Sequence, residues 1–234
     1  MCVVAFDKHA GAYDDLFARS RICTQREAVW EVLAETFHAG DAILTLNCKT
    51  GEDARFLSLL DISAVACDTR QRMAIWPGAL FDGALSNFSG LHSVADLNRT
   101  ARDLACMISL GAPLIVCLST RFCLSETLWF LSRGEVRKAF RRSSAIAIVK
   151  AGDSVVKMQY PALKKVRQSF SPSFAMRSCK GIGVVLPPSF LDPLSRKHPR
   201  VLGLLRRIDR SIAALPLLRS MGDHMLVHFE RVQG

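Results

Sequence analysis

Residues 42–60, AILTLNCKTGEDARFLSLL, hold an apolar run, a short polar loop and a stretch of helical character. The run Ala42 to Leu46 is interrupted only by Thr45, the pattern of a strand covered on both faces. The loop Asn47-Cys48-Lys49-Thr50-Gly51 follows, and a helix is expected from Glu52 to Leu60. A strand feeding a helix through such a loop is where many α/β proteins hold a nucleotide, because the first N–H groups of the helix are unpaired there. This loop is poor in glycine, with Gly51 alone.

Working outward, strands and helices alternate. Residues 24–37, TQREAVWEVLAETF, set Ala28, Val29, Leu33 and Phe37 at helical spacing, and Thr24 with Glu27 has the form of a capping box. SAVACD (63–68), FDGALSNF (81–88) and APLIVCLS (112–119) read as further strands, and SVADLNRTARDLACMI (93–108) as an amphipathic helix. Nearly continuous apolar strands alternating with helices predict a parallel sheet covered on both faces. Past Thr120 the rhythm changes. A basic helical stretch to residue 143 leads to two short strand-like pieces around residues 146–160 and a helix in PALKKVRQSF (161–170). A strand with Gly181 and Gly183 inside it, a mostly helical stretch over 189–215 and a last strand in DHMLVHFERV (223–232) complete the chain.

The composition narrows the classes of function. The 234 residues are half hydrophobic, enough for a substantial core in one α/β domain with an insertion or cap. No run approaches the ~18–20 uncharged apolar residues of a membrane span, and the first residues lack a signal-peptide pattern. The eight cysteines form no C-x-x-C pair and no set at zinc spacing, so buried free thiols in a reducing cytoplasm, without a metal, are expected. The net charge of +10 is uneven: residues 131–210 hold 18 Lys and Arg against 4 Asp and Glu, whereas residues 1–130 hold 11 against 15. A basic second half suits an anionic partner, such as an acidic substrate, a membrane surface or nucleic acid. Nucleic acid is the least favoured, since the few aromatics do not interleave with the basic residues.

Four segments together resemble the class I S-adenosylmethionine-dependent methyltransferases, over roughly Phe6 to Thr120 and again in the C-terminal strands. AFDKHAGAYDDLF is similar to the segment that often forms a lid over the cofactor, with Phe6, Asp7, Ala10, Tyr13 and Asp14 matching. The 42–60 stretch is similar to the family's first motif, an acid followed by x-G-x-G-x-G. Here Thr45 stands at the acid position, Asn47 and Lys49 at the first two glycine positions, and Gly51 at the third. AVACDTRQRM places Asp68 where the family holds the ribose hydroxyls and Met73 where an apolar residue packs near the adenine. FDGALSNFSGLH is the closest match, with Asp82 opening the strand, Ser86, Asn87 and Phe88 beneath the cofactor, and Ser89 to His92 toward the acceptor.

The resemblance implies a Rossmann-like, mostly parallel sheet with helices on both faces and a reversed last hairpin, seven strands in the family. It divides the chain into an N-terminal helical lid (1–40), a cofactor-binding core (41–125), and a basic helical cap plus the C-terminal strands (126–234). It implies S-adenosylmethionine as cofactor, held by Tyr13, Thr45, Asn47, Cys48, Gly51, Asp53, Asp68, Met73, Asn87 and Phe88. His92 is the candidate base. Methyl transfer requires an in-line acceptor and removal of its proton, so one imidazole near the acceptor suffices. The acceptor is expected to be small or lipophilic, with an anionic one also fitting the charge.

Two departures keep alternatives open. Only 12 residues, Thr69 to Leu80, separate Asp68 from Phe81, room for one short crossover rather than helix, strand and second helix. Either a sheet strand is absent or the sheet is rearranged. With Thr45 and Lys49 in the first motif, a catalytically degenerate, methyltransferase-like binding or scaffolding protein is the rival reading, and the sequence does not separate methyl transfer from other uses of the cofactor. His224 and His228 are expected to share a face only in a helix, whereas their segment alternates like a strand. Val201, Leu204, Leu205, Ile208, Ile212 and Leu215 form an apolar stripe with arginines elsewhere. Docking on the protein's own core is the favoured reading, and a substrate cap or peripheral membrane contact the alternative. The oligomeric state is not legible.

Overall fold

A computed structural model of the chain describes residues 21–46, 51–67, 80–88, 91, 94, 96–143, 146–151, 154–186 and 199–232. Helix α1 (Arg21–Thr36) leads to β1 (Ala42–Leu46), α2 (Glu52–Ser58), β2 (Ser63–Cys67), β3 (Gly83–Ser86), α3 (Leu97–Ala105) and β4 (Pro113–Ser119). Helices α4 (Leu124–Ser132) and α5 (Val136–Ala139) follow, then a separate antiparallel ribbon of β5 (Ile146–Ala151) and β6 (Ser154–Gln159). The chain continues through α6 (Leu163–Phe170), β7 (Phe174–Ile182), α7 (Pro199–Ile212) and β8 (His224–Arg231).

Six strands form one sheet in the order β2-β1-β3-β4-β8-β7. The first four are parallel, and β8 runs antiparallel to both β4 and β7. The parallel sheet and the reversed last hairpin agree with the expectation from the sequence. Among the described residues β2 is the edge strand, and the seventh strand of the resembling family is absent. A rearranged sheet, the other alternative for the short Thr69–Leu80 segment, is not what the strand order displays.

Strand pleating sends alternate side chains to opposite faces, and each face has its own core. Leu44, Leu46, Ala84, Leu114, Val116 and Leu118 pack with α3 and α6 through Leu104, Val166 and Phe170. Ile43, Leu85, Ile115 and Cys117 pack on the other side against α1 and α2 through Val29, Leu33 and Leu57. Both sides being apolar explains why β1 and β4 read as unbroken runs. Helix α3 starts where the Asp96 side chain accepts from Asn98 N and Arg99 N, at 2.9 and 3.1 Å.

Several local expectations are corrected. Helix α1 is already formed at Arg21, so Thr24 lies inside it and is not the cap, a position that requires non-helical backbone. Strand β7 ends at Ile182 because Gly183 turns to φ 72° and its N–H donates to Asp209 instead of a neighbouring strand. His224 and His228 share a face on a strand: residues four apart are on the same side when the side-chain period is two.

Gly83 is required by space. A Cβ there would meet the Phe37 ring and, at 2.8 Å, the Pro113 carbonyl. The backbone oxygen cannot turn away, so Gly83→Ala is expected to lower stability by about 1–3 kcal/mol in urea unfolding. A loss below the error of that measurement would refute the tight packing of Phe37 and the Pro113 carbonyl around Gly83.

Candidate functional site

The C-terminal ends of β1, β3 and β4 point the same way, and the antiparallel β8 starts at that edge, with His224 opposite Ser119. In open α/β sheets this edge is where ligands bind. At the end of the 47–51 loop Gly51 has φ 72°, a left-handed conformation that disfavours a side chain even though a Cβ there would find nothing within 4 Å. It stands immediately before α2.

Asp53, in the first turn of α2, is the hub of a polar network. Its Oδ1 accepts from Trp30 Nε1 at 2.8 Å and its Oδ2 from Asn87 Nδ2 at 2.9 Å. Arg26 Nε lies 3.6 Å from the same carboxylate, and the Arg26 guanidinium also pairs with Glu52. Trp30 stacks on Phe56 of α2, with ring centroids 4.6 Å apart. Helix α1 is thereby fastened to the start of α2 and, through Asp53 and Asn87, to the end of β3.

Because the Asn87 amide nitrogen faces Asp53, its Oδ1 is left buried without a hydrogen-bond partner among the described residues. The same holds for Ser86 Oγ beside it. Buried polar atoms are normally satisfied, so each of these two orphans at the C-terminal end of β3 calls for an explanation. Phe88 follows with φ 46°, an uncommon backbone state for a bulky residue. Its ring stands edge-on to His224 at 5.0 Å and beneath the Arg26 guanidinium at 5.7 Å.

A second polar cluster lies behind His224. Arg142 bridges Glu126, at 2.7 Å, and Asp223, at 2.6 Å. Arg141 also reaches Glu126, and Gln25 Nε2 donates to Asp223 Oδ2 at 3.1 Å. Burial alone would lower the pKa of Arg142, but Asp223 and Glu126 outweigh it and hold the guanidinium charged. Potential ligand atoms of Cys123, Glu126 and Asp223 lie within 4.8 Å of one another. A metal ion there would have to displace the guanidinium that already neutralises both carboxylates.

The structure thus brings Gly51, Asp53, Asn87 and Phe88 to one edge. Thr45 is buried in β1, and its hydroxyl donates to the Val65 carbonyl at 3.1 Å. Tyr13, Asn47, Cys48, Asp68, Met73 and His92 lie outside the described residues. Sequence reading missed Gln25, Arg26, Trp30, Arg142, Asp223 and His224. For Arg26 and Trp30 a signal was present: they are four apart on one helix face, beside the apolar face of α1.

Burial raises the thiol pKa of Cys117 and Cys123, and brings Cys179 to about 11. Cys106 is exposed. With thiolate as the reactive form, iodoacetamide at mildly alkaline pH is expected to modify Cys106 in the folded protein. The three buried thiols should react only after urea is added. Peptide mass mapping checks this, and labelling of Cys117 as fast as Cys106 would contradict it.

No family model matches the chain, and no curated protein matches it in sequence. Solved structures do match the fold. An S-adenosylmethionine-dependent methyltransferase from Clostridium acetobutylicum superposes with a TM-score of 0.54 at 10% identity, over 97% of this chain and 98% of that one. One from Mesorhizobium loti gives 0.51 at 14% identity, over 86% and 97%. A Listeria monocytogenes protein assigned to the same class gives 0.55 at 12% identity, over 87% and 96%. The chain has the fold of the class I S-adenosylmethionine-dependent methyltransferases.

Proposed function

We propose that this chain is an S-adenosylmethionine-dependent methyltransferase acting on a small or lipophilic acceptor. The observation that carries the reading is that Ser86 Oγ and Asn87 Oδ1, at the C-terminal end of β3, are buried and have no hydrogen-bond partner among the described residues. A hydroxyl oxygen and an amide oxygen suit a ligand that brings hydrogen-bond donors, as the ribose and ammonium of this cofactor do. In this reading Asp53 orients Asn87, and Phe88 lies beneath the cofactor. Tyr13, Asn47, Cys48, Asp68 and Met73 are assigned by resemblance, as is His92 in the role of base. When bound, the cofactor supplies a methyl group on a sulfonium. The chain has to align the acceptor with that methyl and take up its proton where one remains.

A degenerate, cofactor-free binding role is the second reading, favoured by two observations. The residue at the family's acid position, Thr45, spends its hydroxyl on Val65. The Arg26 cation over Phe88 opposes a second positive charge there. Calorimetric titration of the full chain with S-adenosylmethionine and S-adenosylhomocysteine separates the two. The enzyme reading expects saturable binding of both. No heat at millimolar ligand overturns it and leaves the scaffold.

A further inference from the structure

Helix α7 buries only one side of its apolar stripe, where Leu205 and Ile212 are half-buried. Val201, Leu204 and Ile208 lie on one helix face at spacings of three and four, with Leu215 just beyond, and they are 55, 58, 40 and 48% exposed. Core docking, the expectation for this stripe, therefore holds for its Leu205 and Ile212 side and not for Val201, Leu204 and Ile208. What α7 does bury is the neighbouring face: Asp209, whose carboxylate accepts from Gly183 N and Val185 N at 2.9 and 2.8 Å, and Ala213. Two of its arginines tie it to α1, Arg206 to Glu27 at 3.9 Å and Arg210 to Glu31. Arg200 and Arg207 lie beside the stripe, are exposed and have no carboxylate partner among the described residues. Leu217, after the helix, is 81% exposed.

From this we infer that α7 is an interfacial helix that docks the protein on an anionic lipid bilayer. The exposed apolar side chains enter the acyl boundary while Arg200 and Arg207 meet the headgroup phosphates, the arrangement that binds amphipathic helices to membranes. The stripe is the outer side of a helix and not a groove, which suits a lipid surface better than a peptide. A second copy of the chain would bring the same +10 charge against it. No described helix is long and apolar enough to cross a membrane, so the contact is peripheral.

Flotation of the full chain with vesicles of phosphatidylcholine alone, or mixed with phosphatidylglycerol, tests this without any cofactor, so its outcome is independent of the methyltransferase reading. The wild type should float with the mixed vesicles only and be released by high salt. The pair Leu204→Glu and Ile208→Glu, at exposed positions, should abolish flotation with the thermal midpoint unchanged. The pair Arg200→Ser and Arg207→Ser should weaken it about thirty-fold. The inference is overturned if the wild type stays with the pellet, if the glutamate pair floats as well as the wild type, or if the glutamate pair instead dissolves a dimer seen by ultracentrifugation.

Discussion

Arg142→Met is expected to cost about 3–5 kcal/mol of unfolding free energy, the largest effect of any single substitution outside the apolar core. Glu126 and Asp223 are 4 and 8% exposed, and the Arg142 guanidinium lies against both, at 2.7 and 2.6 Å. Methionine keeps most of the volume but leaves two buried carboxylates close together, with Arg141 and Gln25 as the partners that remain. Urea unfolding of the variant measures the loss, and adding Glu126→Gln with Asp223→Asn should recover part of it, since neutral groups are cheaper to bury. A loss under about 1 kcal/mol would mean that water already reaches these carboxylates.

Asn87→Leu is expected to weaken S-adenosylhomocysteine binding about ten- to a hundredfold by calorimetry, and to lower thermal stability modestly because the bond to Asp53 is lost as well. The substitution removes the donor that orients Asp53 and the buried oxygen left over for a ligand. Hydrogen bonds to charged groups contribute about 1.5–3 kcal/mol, which sets the range. Asn87→Asp should bind still more weakly, because it places a second carboxylate against Asp53. Wild-type affinity in the leucine variant would remove Asn87 from the site.

How much of this was legible in the sequence depended on whether a residue's role was local. β1 and β4 were readable because a strand buried on both faces must be apolar at every position, and Leu44 and Ile43 indeed serve opposite cores. Asn87 and Phe88 were named through a motif that follows a strand. Asp53 was named as a cofactor contact, but its bonds to Trp30 and Asn87 join residues 23 and 34 positions away, a pairing no periodicity displays. The same holds for Arg142 and Asp223, and for Gln25, whose polar side chain looks solvent-facing on a helix yet bonds across 198 positions. The stripe on α7 was visible, but its fate was not: Val201 and Leu204 have the same spacing whether a core covers them or not. The histidine pair failed for a simpler reason, since a four-residue spacing fits a strand face as well as a helix turn.

One consequence concerns the order in which the protein is made. Among the described residues β7 has β8 as its only neighbour in the sheet, and β8 also covers the flank of β4. A ribosome therefore releases β7 before its sole ladder partner exists, while the seven-residue β4 offers an open apolar edge to other nascent chains. The interval ends only when Arg231 clears the exit tunnel. A chain halted before His224 would leave both β4 and β7 with an unpaired edge, the form of a strand most prone to pair with another chain.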